Sequence, residues 1–269
     1  MSDRACLAIM PRDILAELGQ LPGVMDACLA AREDIDQLLW DRGVRGRAAE
    51  IVADSVREGA RCSAALEGAE VSPDAMNAGI AEEDSPLGRA VAASVDVTAA
   101  VPSQVDTWRR SPLQVIAHLH VRASRGFDDS DARGRPRDTD EVIDPLHIGS
   151  VPPVADISPR LDALATILTQ PTSAPAVLIA AISHGELLAL RSFRWGSGLI
   201  ARASVRLVLA ARGVDPDLLV APEAGMLAQG RTSYVRALRA YASAEPEGIA
   251  EWITWNAAAI GVAAQSVDR

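Results

Sequence analysis

The residues with the most chemical potential lie in one stretch, Arg191-Ser192-Phe193-Arg194-Trp195-Gly196-Ser197-Gly198-Leu199-Ile200-Ala201-Arg202, with Arg206 four residues further on. A Gly-Ser-Gly turn feeding straight into a helix leaves the first backbone N–H groups of that helix without intrahelical partners, at the positive end of its dipole. Such a place suits an anion. Arg191, Arg194, Arg202 and Arg206 are close by, and Arg202 and Arg206, at i and i+4, share a helix face. The pattern predicts a cradle for a phosphate-bearing ligand built from Gly196, Ser197, Gly198, Arg202 and Arg191. The same residues also read as a tight turn whose arginines pair with acids, because short glycine motifs arise readily by chance.

Other titratable groups are less well placed. His118 and His120 are two residues apart on a helical stretch, face different ways and cannot chelate one metal. His184 lies in a helix that is apolar nearly all round and reads as a hydrogen-bonded structural histidine. His147, in a long loop, could reach the site, but nothing in the sequence fixes it there. Ser183-His184 is not a triad, since adjacency on a helix does not supply the geometry of nucleophile and base. Cys6, Cys28 and Cys62 are too few and too widely spaced for a disulfide framework or a zinc site, and no metal site is predicted. Trp108, Trp252 and Trp255 read as core or interface aromatics.

Helices must position these groups. Ser-Pro pairs at 72–73, 85–86, 111–112 and 158–159 predict helix starts, with serine as N-cap and proline at the first position. Apolar spacing predicts helices over about 24–39, 47–66, 113–124, 231–243 and 247–265, with Gly68 ending the second in a left-handed conformation. Val177–Leu190 is apolar all round, as a helix buried inside a domain would be. Leu199–Arg212 is a second apolar helix, stopped by Gly213 and Pro216. Residues 125–157 are rich in Gly, Pro and Asp and predict a long loop with a short hairpin near 142–151. The fold class is all-α with at most that small β-hairpin, arranged as an N-terminal helical region over 1–100 and a core over 101–269.

The 269-residue chain is 49% hydrophobic with a net charge of −10, and all 26 of its basic residues are Arg. A chain without Lys has no Schiff-base mechanism and no P-loop lysine. Acidity on this scale argues against nucleic acid as a partner. No apolar run is long enough to span a bilayer, and no basic-then-apolar leader opens the sequence, so no membrane partner and a cytoplasmic location are expected.

The 191–202 stretch resembles the motif of the Fic (Fido-domain) family, H-P-F-x-[D/E]-G-N-G-R-x-x-R, sharing Phe193, Gly196, Gly198 and Arg202. The resemblance extends over about 111–215. His184 falls seven residues ahead of the motif, Gly134-Arg135-Pro136-Arg137 resembles the family's Gly-x-x-Arg element, and Pro152-Pro153 and Leu119-His120 have counterparts too. Upstream, Ser63-Ala-Ala-Leu-Glu67-Gly68 resembles [S/T]-x-x-x-E-[G/N], the inhibitory helix of one Fic subclass. This resemblance implies an all-α Fic-like bundle, an inhibitory-type helix near 47–68, and a regulatory contact in which Ser63, Glu67 and Gly68 bring Glu67 onto Arg202. It also implies transfer of AMP from ATP, with Mg²⁺, to a protein hydroxyl.

The positions that do that chemistry are altered. Arg191 stands where the family has its catalytic His, and a guanidinium cannot accept a proton near neutral pH. Trp195 replaces the Mg²⁺-binding acid and offers no oxygen to a hard cation. Leu199 replaces the first motif Arg, Ser197 the Asn and Ser192 the Pro. No residue is therefore assigned as catalytic, and Mg²⁺ binding is doubtful. Three readings stay open. The first is a degenerate site that binds ATP, another nucleotide or a phosphate-bearing ligand and serves regulation through an unknown protein partner. The second is an active transferase of AMP or another phosphate-linked group, using a base from outside the motif. The third is an interaction protein with an occluded pocket. Apolar helices beyond the core would permit a homo-oligomer.

Overall fold

The helical periods of the sequence become thirteen α-helices among the residues described by the computed structural model, 13–128 and 131–267; Cys6 lies outside them. In chain order they are α1 (Ile14–Leu18), α2 (Val24–Trp40), α3 (Arg42–Gly46), α4 (Ala48–Leu66), α5 (Pro73–Asn77), α6 (Pro86–Trp108), α7 (Pro112–Ala123), α8 (Ile157–Thr169), α9 (Ala176–Leu190), α10 (Ser197–Ala211), α11 (Pro222–Ala228), α12 (Arg231–Ala242) and α13 (Pro246–Gln265). Ser72 and Ser85 accept hydrogen bonds from the backbone N–H groups of Ala75 and Gly88 at 3.1 and 2.9 Å, capping α5 and α6. Ser158 does not cap. Asp156 holds the N-cap position of α8, so Ser158-Pro159 falls inside the first turn, where proline removes an N–H that had no helical partner.

α9 is the central helix. Apart from Ala176 and Glu186 every residue of it is buried, and it packs along α10, whose residues Ser197–Ala210 are buried as well. α4, α6 and α7 pack against α10, and α2, α11, α12 and α9 pack against α13. The main hydrophobic core draws on residues from Leu15 to Ala264, a smaller cluster gathers Ala64, Ala69, Val71 and Val91, and α6 spans Pro86–Trp108. Gly68 ends α4 with φ +91°, as its position predicts.

The expected hairpin near 142–151 is not there; the described residues contain no β-strand. The backbone groups that a two-stranded ladder would pair are committed elsewhere. The N–H groups of Leu146 and Ile148 donate to the Asp144 carboxylate at 3.2 and 2.8 Å. The carbonyls of Gly149 and Ser150 accept from Arg191, and those of Pro145 and His147 from Arg231 and Arg239. No helix among the described residues is long and apolar enough to cross a membrane.

Candidate functional site

α9 ends and α10 begins within the stretch singled out by its chemistry. Arg191 closes α9 in a left-handed conformation (φ 45°), and Gly196, also left-handed (φ 80°), is the N-cap of α10, with no side-chain bond to the helix end. Ser197 folds its hydroxyl back onto Phe193, accepting from that residue's N–H at 3.3 Å. The predicted turn at a helix N-terminus is therefore present, and Gly196, Ser197 and Gly198 line one small cavity with Arg191.

Glu67 sits over this turn. A Cβ built on Gly198 would lie 2.0 Å from Glu67 Oε1, so only glycine accommodates the carboxylate there. Arg202 Nη2 donates to that same oxygen at 2.7 Å, while Arg202 Nε and Nη2 donate to the hydroxyl and carbonyl of Ser63 at 2.8 and 3.1 Å. Ser63 and Glu67, one helical turn apart, thus both meet Arg202, which lies 135 positions beyond Glu67 in the chain. Burial works against the Arg202 charge, but Glu67 and Tyr234 outweigh it and hold the guanidinium above its ordinary pKa.

A buried chain of hydrogen bonds backs Arg202. Its Nη1 donates to the Tyr234 hydroxyl at 3.4 Å. Tyr234 lies 2.8 Å from His184 Nε2, and His184 Nδ1 lies 2.7 Å from Asn256 Oδ1. Asn256 Nδ2 donates to the Trp252 carbonyl, which leaves Oδ1 as an acceptor and puts the imidazole proton on Nδ1. Nε2 then accepts from Tyr234. Burial pushes His184 down to about 3 and Tyr234 up to about 12, so both stay neutral at pH 7. His184 is the structural histidine its apolar helix suggested.

Arg191 is turned to the loop. Its Nη1 donates to Asp144 Oδ2 at 2.9 Å and to the Gly149 carbonyl at 3.0 Å, its Nη2 to the Ser150 carbonyl, and its Nε has no partner among the described residues. The charge expected to face the turn is already matched by Asp144. Arg137, of the Gly-x-x-Arg element, reinforces this arrangement: its Nε donates to the Arg191 carbonyl at 2.9 Å and its Nη2 to that of Pro152. Arg194 points outward and pairs with Asp128 at 3.1 Å. Arg206 is buried against Glu223 and Ser55, away from the turn.

The remaining motif positions serve packing. Trp195 is 6% exposed and stacks on Phe127, ring centroids 3.8 Å apart. Leu199 is core. Phe193 stacks on His120, whose Nδ1 accepts from the Gly134 N–H at 2.9 Å. Burial pushes His120 down to about 4, with Asp128 opposing that shift. His118 faces elsewhere and accepts from Arg122 Nε at 3.0 Å. His147 is exposed on the outer side of the loop.

Between Glu67, Asp144, Arg191, Gly196 and Gly198 a volume of about 20 Å³ remains, space for one water molecule. An indole at 195 supplies no oxygen for Mg²⁺. The residues present do not fit a magnesium–nucleotide complex in this arrangement.

The architecture can be compared with solved structures. A Fic family protein from Desulfovibrio desulfuricans G20 superposes with a TM-score of 0.72 at 17% identity, over 91% of this chain and 73% of that one. The chain has the Fic fold. A fragment of Fic-1 from C. elegans gives a TM-score of 0.64 at 16% identity, over 90% of this chain and 71% of its own. A glutamate-to-glycine variant of that fragment gives 0.64 at 15%, over 90% and 70%. No protein-family model and no curated protein matches the sequence. In this fold α9 and α10 flank residues 191–196, and the C-terminal end of α4 brings Glu67 to Gly198.

Several groups that shape the site were invisible to sequence reasoning. Tyr234, Asn256 and Asp144 are 32, 54 and 58 residues from Arg202, and no local spacing links them to it. Asp144 carried a weak signal, as one of many aspartates in the long loop.

Proposed function

We propose that this chain is a Fic-fold protein that has lost AMP transfer, closes its nucleotide pocket from within and acts through a protein partner. One observation carries the reading: Glu67, bound to Arg202, fills the space over Gly198 and leaves about 20 Å³. Pockets that hold small molecules measure roughly 300 Å³ or more. The chemistry agrees with the shape. The titratable side chains at the cavity are Glu67, Asp144 and Arg191, and each is engaged in an ion pair. Arg191 accepts no proton, and the base contribution to such a transfer is typically worth 10²–10⁴-fold.

A second reading, a pocket that takes a nucleotide phosphate once Glu67 moves, draws on the uncapped N-terminus of α10 and on Arg202 one turn into that helix. Neither His120, packed behind Phe193, nor His147, on the outside of the loop, offers an alternative base.

Calorimetry with ATP, ADP and AMP, with and without Mg²⁺, separates these readings. The expected result is no binding to the wild-type chain. Micromolar binding to wild type would overturn the closed-pocket reading, whereas binding confined to Glu67→Gly would support the second. Intact-mass spectrometry after incubation with nucleotides tests the loss of transfer: an adduct on wild type, or on Arg191→His alone, would contradict it.

A further inference from the structure

α12 is a basic segment that flanks the long loop beside the site. It carries Arg231, Arg236 and Arg239 and no acidic residue, in a chain of net charge −10. With Pro145, Leu146 and His147 of the long loop it encloses a groove of about 560 Å³, outside the closed cavity. Arg231 and Arg239 donate to the Pro145 and His147 carbonyls, which hold the guanidinium groups in place without neutralising them. Arg236 pairs with Glu251 at 3.2 Å, but its side chain is 72% exposed, and exposed pairs of this kind hold little. Each guanidinium has five N–H donors, so most of this donor capacity is unspent.

We infer that the groove binds an extended acidic segment of another polypeptide, with carboxylates about four residues apart. Arg231 and Arg239 are eight residues apart on one helix, roughly 12 Å at 1.5 Å per residue. An extended chain covers about 13 Å in four residues. Carboxylates with that spacing meet both arginines, with Arg236 reachable between them, and apolar residues between the carboxylates rest on Val235 and Pro145. A lone phosphate spans one guanidinium fork and leaves the others unmatched. The groove runs between the loop and α12, a placement suited to a single strand rather than a lipid surface. The groove lies outside the cavity beneath Glu67, so a segment bound there does not require that cavity to open.

The test uses the full chain and fluorescence anisotropy. The probe is a short fluorescein-labelled peptide with glutamates four residues apart and leucines between them, beside its glutamine counterpart. The acidic peptide is expected to bind, the glutamine peptide at least about tenfold more weakly, a gap of about 1.4 kcal/mol. Affinity falls as salt rises. Arg236→Glu with Arg239→Glu loses at least about tenfold, while Arg236→Lys with Arg239→Lys keeps the preference for the acidic peptide. Because Arg239 also holds the loop, Arg236→Glu alone serves as a second variant and weakens binding severalfold. Absent binding, equal affinity for the two peptides, or affinity unchanged in Arg236→Glu would overturn the inference. Displacement by inorganic phosphate at the peptide's own concentration would overturn it in favour of a small-anion site. Phosphatidylserine vesicles that bind through the same arginines when the peptide does not would overturn it in favour of a lipid surface.

Discussion

Arg206 repeats, one helical turn on, the grip that Arg202 has on α4. Arg202 bonds the hydroxyl and carbonyl of Ser63 and the carboxylate of Glu67; Arg206 bonds the hydroxyl and carbonyl of Ser55, at 2.9 and 2.7 Å, and the carboxylate of Glu223. The helix that delivers Glu67 is therefore fastened twice to the helix that carries the motif, once beside the cradle and once well behind it.

The rear fastening should be a large contributor to stability. Arg206 and Glu223 are 2% and 1% exposed, so Arg206→Leu leaves a buried carboxylate without its partner. A loss of about 3–5 kcal/mol is expected in urea unfolding. Arg206→Leu combined with Glu223→Leu should recover much of that loss, because removing both charges removes the desolvation penalty.

Gly198 and Glu67 should be strongly coupled. Gly198→Ala places a Cβ 2.0 Å from Glu67 Oε1 and forces the carboxylate or the turn to move, a loss on the order of 1–3 kcal/mol. In a Glu67→Gly background the same substitution meets no carboxylate. A double-mutant cycle by thermal or urea unfolding should give an interaction energy above about 0.5 kcal/mol; simple additivity would mean that Glu67 does not occupy this space in solution.

Tyr234→Phe removes the hydroxyl between Arg202 and His184 and leaves His184 Nε2 buried without a donor. A loss of about 1–3 kcal/mol is expected, measurable by urea unfolding. The imidazole proton should stay on Nδ1, since the Asn256 contact is untouched, and the ring nitrogen chemical shifts in an NMR spectrum would report this.

Stability should fall in mild acid because two buried histidines resist protonation in the folded chain. His184 and His120 are held at about 3 and about 4 in the folded chain, against an ordinary value of 6.5. Between those values the unfolded chain binds protons that the folded chain excludes, so stability rises with pH across this window and levels off above about 6.5. Each histidine contributes on the order of 1 kcal/mol per pH unit within its range. Urea midpoints measured from pH 7 to pH 5 should decline, and less steeply in His120→Asn.

Most of the longer helices were legible in the chain, although Ser158 does not cap α8 and the short α1, α3 and α11 carried no clear signal. Apolar spacing marks α2, α4, α9, α10, α12 and α13, serine caps mark α5 and α6, and the glycine turn marks the start of α10, because each of these depends on residues within a few positions of one another. The motif 191–202 and the Ser63–Glu67–Gly68 segment could likewise be found by inspection. Three features could not. Whether Glu67 reaches Gly198 depends on how α4 packs on α10, across 131 positions of sequence. Whether Arg191 faces the turn or the loop depends on Asp144, which competes for its guanidinium from 47 positions away. Whether residues 142–151 pair as strands depends on arginines of α12 and α9 that claim their carbonyls first. In each case the outcome is set by buried charges and backbone polar groups that must find partners in three dimensions, and a sequence lists such groups without saying which of them will meet.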